Sequence, residues 1–387
     1  MNPETTSSRT LSEAEVRARY IMIGGFLGAG KTTIVAKLAR HLANSGKRVG
    51  LITNDQGREL VDTKMLRSLG FATEEISGGC FCCRFNSLME AARSLSAGKA
   101  PDVFIAEPVG SCTDLVATVT YPLRRIYGED FEVAPLSVLV DPVRARRVFG
   151  LDEGGSFSEK VAYIYKKQLE EADILVINKK DLIDAGQVEE LAETLRREFP
   201  QAEVIAVSAR QEDGLEAWFD SLVSGVAQGI HCTMEVDYDI YADGEALLGW
   251  LNATVDLDSP AGVDADGLLE ILAREVQSRL TNGGAEIAHF KMTLGPTDAM
   301  VGEVAILNLV RNDFVPELCQ RLDEEVHQAQ IIVNLRAETA PEILATVLEA
   351  AMRAASAAHP GTALVLDHRE FFRPGRPTPT HRDLVEA

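Results

Sequence analysis

The chain has 387 residues, 46% of them hydrophobic and 25% charged, and a formal net charge of −21. That length exceeds the roughly 250–300 residues that one core usually fills, so two domains are expected. The acidic balance repels phosphate backbones and anionic lipid, which excludes nucleic acid and membrane as expected partners.

Residues 1–19 are polar, without the apolar core of a signal peptide, and no run approaches the ~18–20 apolar residues of a bilayer span. Six cysteines in a chain this long do not make a disulfide framework. The expected location is the cytoplasm.

In chain order, the first half alternates short apolar runs with amphipathic stretches, the pattern of βα units around a mainly parallel sheet. Strands are predicted at 20–23, 49–53, 103–106, 136–140, 174–177 and 204–207. Helices are predicted to begin at Lys31, near Asn86, near Phe157, at Gln187 and at Gly214. A polar, Gly-containing stretch at 225–243 reads as a linker. Beyond it, strands at 250–257, 287–294, 303–310 and 329–335 and helices at 267–280 and 341–355 suit a smaller α+β domain over 244–358, ferredoxin-like in order. From residue 359, Pro360, Pro374, Pro377 and Pro379 indicate an extended arm with one short strand at 363–366.

Gly25-Phe26-Leu27-Gly28-Ala29-Gly30-Lys31-Thr32 lies between a predicted strand and a predicted helix, as a P-loop does. Gly25, Gly28 and Gly30 let backbone amides, that of Ala29 among them, curl around phosphates. Lys31 reaches the terminal phosphates, the Thr32 hydroxyl ligates Mg²⁺, and Thr33 follows at the helix start, where the helix dipole favours an anion. The competing reading is a chance glycine-rich turn, which the flanking strand, helix and Lys-Thr pair disfavour. The fold class is therefore α/β, a P-loop NTPase domain over 20–224 followed by the smaller α+β domain.

Further along, the apolar run 102–106 ends in Glu107-Pro108-Val109-Gly110. A carboxylate at the end of a strand beside the P-loop orients the magnesium shell, and the Gly110 amide is placed to sense the γ-phosphate. Strand 174–177 leads into Asn178-Lys179-Lys180-Asp181. An Asp carboxylate accepts from both the ring N–H and the exocyclic amine of guanine, a donor pair that adenine lacks. Asn178 and the Lys179 stem brace the loop, and Ser208-Ala209 is expected to offer a backbone amide to the guanine carbonyl. By itself this motif also suits an ordinary polar turn; after a P-loop it points to GTP.

Ser77-Gly78-Gly79-Cys80-Phe81-Cys82-Cys83 is the most distinctive segment. Thiolates favour Zn²⁺, Cu⁺ and related ions, and a Gly-Gly turn is needed because neighbouring side chains on a straight strand face opposite ways. Three thiolates leave a tetrahedral ion one open position, which suits transfer. The alternatives are a closed structural zinc with a fourth protein ligand, for which Asp55 and Glu59 are candidates, and a metal-free apolar cluster. Cys112 reads as a small core residue and His289 as a satisfied core histidine.

These four motifs, in this order, resemble the CobW-type GTPases, a P-loop family related to cobalamin-synthesis and nitrile-hydratase-activator proteins. The resemblance covers about residues 20–224. It implies GTP-driven delivery or insertion of a transition metal, zinc or cobalt, into a client metalloprotein or cofactor-synthesis protein, with slow hydrolysis; a homo-oligomer is left open. The implied cofactors are GTP, Mg²⁺ and Zn²⁺ or Co²⁺. The implied catalytic group is Lys31, Thr32, Glu107 and Asp55, with Thr32 and Glu107 also at the magnesium. Asn54-Asp55-Gln56-Gly57 matches the family's first switch, with Asp for the usual Glu, and Asp62 matches its later acid. Val109-Gly110-Ser111-Cys112 departs from the commoner Glu-Thr-Ser-Gly form, and the region after 225 does not match the usual carboxy-terminal domain. Two rival functions remain: a GTP-gated assembly chaperone with structural cysteines, and an ATP-dependent small-molecule kinase.

Overall fold

A strand covered on both faces reads as a continuous apolar run, and β1 (Ala18–Gly25) is buried from Arg19 onward. The computed structural model describes residues 17–54, 63, 66–67, 69–224, 233–297 and 304–384. Around β1 lie β2 (Val49–Asn54), β3 (Ala72–Ile76), β4 (Val103–Glu107), β5 (Phe131–Val133), β6 (Ser137–Val140), β7 (Ile174–Ile177) and β8 (Glu203–Ala206), all paired in parallel. The order is β3-β2-β4-β1-β6-β7-β8, with β5 also on β1. The strand order switches direction at β1, between β4 and β6. In such sheets ligands bind beyond the carboxyl ends of the strands at this switch point. Helix Lys31–Asn44 buries Ile34, Val35, Leu38, Ala39 and Leu42 against the sheet.

The second sheet holds β9 (Leu248–Val263), β10 (Glu286–Pro296), β11 (Ala305–Leu309), β12 (Glu317–Gln320), β13 (Val326–Glu338) and β14 (Ala363–Phe372). All its pairs are antiparallel, in the order β12-β11-β10-β13-β9-β14. Within it, β14-β9-β13-β10 with helices Ala265–Asn282 and Pro341–Ala358 is the split β-α-β arrangement of ferredoxin-like layers. One face buries Leu251, Val255, Phe290, Met292, Ile331 and Val333 beneath those helices. The opposite face of β9 reaches the first domain's core through Trp250.

Four differences from the sequence reading have physical causes. Strand β3 (Ala-Thr-Glu-Glu-Ile) is an edge strand with half-exposed carboxylates, so it carries no apolar signal. Residues 225–232 of the expected linker lie outside the described residues, but its end begins helix Tyr238–Leu247, capped by Asp237, which buries Tyr241 in the first domain's core. The expected arm opens with β14, a full ten-residue edge strand on β9 rather than a short one. Strand β12, which carries Cys319, was not predicted either: it is a short, mostly half-exposed edge strand and gives no apolar run.

Candidate nucleotide and metal sites

The P-loop leaves β1 with its glycines in conformations other residues avoid: Gly25 at φ +130°, Gly28 at +80° and Gly30 at +96°. A Cβ on Gly30 would lie 2.6 Å from Asn178 Nδ2. Lys31 Nζ donates to the Gly25 carbonyl at 2.9 Å, which holds the amine across the loop. Thr32 Oγ1 donates to Glu107 Oε1 at 2.9 Å, joining the two oxygen groups expected at magnesium. Gly110 packs so closely on the P-loop that a Cβ would meet Leu27 side-chain carbon at 2.8 Å. The glycine cradle, the lysine and this hard-oxygen pair fit a Mg²⁺-bound triphosphate.

The base-side residues converge as expected. Asn178 Nδ2 donates to the Ala29 carbonyl at 2.9 Å, and its Oδ1 accepts from the Ala209 amide at 3.1 Å. Lys179, in the left-handed region, donates from Nζ to the Gly28 carbonyl at 2.6 Å and to Asp141 Oδ2 at 2.9 Å. Ser208 Oγ donates to Asp181 Oδ1 at 2.5 Å. The Ser208 and Ala209 amides are already engaged, by the Asp213 carbonyl and by Asn178. These bonds brace the loop, and Ala209 lines the cavity beside Asp181.

These groups line a cavity of about 380 Å³ that also takes in Thr33, Asn54 and Arg210. Sequence reasoning missed the part of its wall that comes from the second sheet: Trp250, His289, Lys291, Asn308 and Arg336 all line it. Lys291 Nζ lies 3.4 Å from Thr32 Oγ1. His289 is no satisfied core histidine: its Nε2 is buried with no hydrogen-bond partner among the described residues. Burial, then the neighbouring cations Lys291 and Arg336, holds its pKa well below the usual imidazole value. Arg336 stacks on Trp250 at 4.1 Å and donates to the Leu251 carbonyl.

Asp141, at the end of β6, fastens the two sheets. It pairs with Lys179 on one side and, at 3.3 Å, with Arg311, in the loop that follows β11, on the other. Burial alone would raise its pKa; Lys179, Arg311 and Arg144 outweigh burial and hold the carboxyl below the ordinary range.

The cysteine loop turns through Gly78 (φ +75°) and Gly79 (φ +151°) and brings three thiols together. Sγ separations are 2.7 Å for Cys80–Cys82, 3.3 Å for Cys80–Cys83 and 3.7 Å for Cys82–Cys83. A tetrahedral ion with Zn–S near 2.3 Å spaces its sulfurs by about 3.8 Å. The set fits such an ion after a small outward movement of Cys80. Cys112, read from sequence as a core residue, is buried in the same core cluster as Cys80 and Cys82. Hydrogen bonds from Cys112, Cys82 and Cys83 pull the Cys80 pKa well below normal. The Cys83 thiol, in its hydrogen bond with Cys80, is pushed up to about 11.

Two segments hold the loop. Asn54, at the end of β2, donates to the Ile76 and Gly79 carbonyls at 2.9 and 2.7 Å. The chain's last described residues cross the outside. Thr378 N donates to Cys83 Sγ at 3.2 Å, Thr380 N to the Cys82 carbonyl at 2.8 Å, and His381 meets Phe85 edge-on. Asp55, Glu59, Asp62, His231 and Cys232 lie outside the described residues. Among the described residues no helix is long and apolar enough to cross a membrane.

With this geometry in place, residues 19–206 match the CobW/HypB/UreG nucleotide-binding domain. Over that part the chain is similar to the CobW-type P-loop GTPases. It is 29% identical to the zinc chaperone CobW of Sinorhizobium sp over 56% of this chain and 63% of that one. It is 31% identical to the zinc chaperone YeiR of Escherichia coli over 42% and 47%. The chain thus spans less than two thirds of the length of either relative. Among solved structures it is similar to zinc-bound YjiA GTPase from E. coli, at 16% identity over 86% of this chain and 98% of that one, with a TM-score of 0.38. A likeness that weak bears on no step of the argument for function. The similarity lies in residues 19–206, the part that carries the P-loop, the cysteine loop and the Asn178–Asp181 turn.

Proposed function

We propose that this chain is a GTP-hydrolysing metallochaperone that delivers a transition metal, zinc or cobalt, to a client metalloprotein or cofactor pathway. The observation that carries this reading is Asn54. It lines the nucleotide cavity and also holds the Gly79 carbonyl beside Cys80, so one side chain belongs to both sites. A nucleotide-dependent shift at the end of β2 would move the thiols with it.

At the phosphate end, Lys31 and Lys291 place two cations, and Thr32 and Glu107 are the groups that would hold Mg²⁺, which supplies charge neutralisation when bound. At the base end, Asp181, positioned by Ser208, recognises guanine. Relatives named as zinc chaperones support zinc as the cargo.

The test is metal analysis of the purified protein with a GTP analogue and with GDP. Stoichiometric zinc or cobalt whose affinity differs between the two states is expected. Equal binding in both states, or binding unchanged by Cys82→Ser with Cys83→Ser, would remove the delivery model. The burial of Cys80 and Cys82 and the segment crossing Cys83 favour one second reading, a GTP-gated assembly chaperone with structural cysteines. That reading expects zinc that stays bound through turnover.

A further inference from the structure

The second sheet meets the P-loop directly. A Cβ on Gly28 would lie 3.1 Å from Val310 and 3.3 Å from the Ala288 carbonyl, so the phosphate cradle packs against β10 and the residue after β11. Arg144, on helix Pro142–Val148 of the first domain, donates to the Ala288 and Val310 carbonyls and fixes that contact. Three residues beyond Ala288, Lys291 Nζ donates to Thr32 Oγ1 at 3.4 Å. Lys291 is paired with Asn308 of β11 on one side and Asn334 of β13 on the other, so its backbone is held from both directions. A group carried by a paired strand is placed more closely than one on a loop. His289, two residues earlier on the same face, lines the same cavity, as do Trp250 and Asn308. His289 Nε2, Trp250 Nε1 and Asn308 Oδ1 are buried without a hydrogen-bond partner among the described residues. Unmet buried polar atoms are costly, so this face suits a polar ligand that satisfies them.

We propose that Lys291 is a catalytic residue: its ammonium contacts the γ-phosphate oxygens of bound GTP, and hydrolysis therefore requires the second domain to be docked on the P-loop. Thr32 is a residue that would hold Mg²⁺, and in such sites the ion bridges β- and γ-phosphate oxygens. An ammonium beside Thr32 Oγ1 is therefore at the γ end of the nucleotide. In the reaction the oxygen of water bonds to the γ-phosphorus, and the bond from that phosphorus to the β–γ bridging oxygen breaks, its electron pair leaving with GDP. The water keeps one proton as the hydroxyl of the released phosphate and gives the other to solvent. Negative charge spreads over the γ-oxygens and the leaving oxygen as this happens, and a cation already in position stabilises it without reorganising. Lys31 meets that charge from the P-loop and Lys291 from the second sheet. GDP lacks the γ-phosphate, so the contact exists only before the phosphate leaves.

This inference rests on the GTP-hydrolysis reading above, and the experiment separates the two. Hydrolysis is followed in a single turnover, with the full chain in excess over GTP and with Mg²⁺ present, for wild type, Lys291→Met and Lys291→Arg. Affinity for GDP is measured alongside, as is capture of GDP with aluminium fluoride, a mimic of the phosphoryl group in transfer. Lys291→Met should lower the rate about 100-fold and abolish capture of the mimic, while GDP affinity stays within about two-fold of wild type. Lys291→Arg keeps a cation on the strand and should recover the rate to within about ten-fold of wild type. Retained GDP affinity in Lys291→Met establishes that the fold is intact. A Lys291→Met rate within about three-fold of wild type, or a fall in rate matched by an equal fall in GDP affinity, overturns the role of Lys291 and leaves GTP hydrolysis standing. Wild type that hydrolyses no GTP overturns both.

Discussion

Asp141→Asn isolates the charge that fastens the two sheets. Asp141 accepts from the Arg144 amide at 3.1 Å and caps helix Pro142–Val148, and Asn caps a helix about as well as Asp, so the cap survives. What is lost is the negative partner of Lys179 and Arg311. The Asp141 and Arg311 side chains are 4% and 7% exposed, and that of Lys179 is 22% exposed. Removing one partner of a buried pair costs about 3–5 kcal/mol, because the other charge stays buried. Lys179 keeps some solvent, so the lower end applies, about 3 kcal/mol or roughly two orders of magnitude in the folding equilibrium. Urea unfolding read by Trp218 and Trp250 fluorescence measures it, with one tryptophan in each sheet's packing.

The sign with pH follows from the lowered pKa of Asp141. The folded carboxyl titrates below its ordinary value of 3.8, so its contribution is present above that value and is lost as pH falls further. Asp141→Asn should therefore flatten the acid limb of the stability curve below about pH 4. GTP affinity should fall as well, since Lys179 loses its anchor beside Gly28. A variant within about 0.5 kcal/mol of wild type refutes the clamp. A loss equal in Asp141→Ala and Asp141→Asn would assign the effect to charge alone, whereas the cap should add about 1 kcal/mol to the alanine variant.

Three further outcomes are expected. Asp181→Ala should weaken GTP by about 2–3 kcal/mol, roughly 30–150-fold, and leave ATP unchanged, as calorimetry with both nucleotides will show; parallel loss of both would contradict a guanine contact. Removal of residues 376–387 uncovers Cys83, so its reaction with a thiol reagent in metal-free protein should accelerate several-fold, and an unchanged rate would show that the segment does not shield it. Glu245 is buried, accepts from Ser111 Oγ at 2.6 Å, and has its pKa raised to about 8 by burial. A raised folded pKa gives stability that is full below the unfolded value of 4.5 and is lost as pH rises toward 8. The stability gained by Glu245→Gln should therefore grow from pH 5 to pH 8; a pH-independent difference would mean the carboxyl is ionised in the fold.

Much of this protein is legible in local runs of sequence. A P-loop, an Asn-Lys-x-Asp turn and a cysteine loop each depend on residues a few positions apart, whose spacing sets the backbone geometry directly. The parallel strands are readable for a similar reason, since strands covered on both faces must be apolar throughout. Strand β3 escaped because an edge strand keeps charged side chains in solvent, and helix Tyr238–Leu247 escaped because its buried face is narrow and its first turn is acidic. Chain order also pointed to GTP as the nucleotide and to a metal at the thiols, since both inferences need only the chemistry of neighbouring side chains.

Tertiary structure decided what those sites are joined to. Lys291 and His289 reach the phosphate end from a sheet more than two hundred residues further along, and Asp141 has partners on both sides of that interface. Trp250 looked like an ordinary strand residue until the fold placed it in the wall of the nucleotide cavity, with Arg336 stacked on it. Spacing along the chain can prescribe a turn or a ligand triplet. It cannot prescribe which distant side chain completes the site, because that depends on how two independently patterned sheets pack against each other.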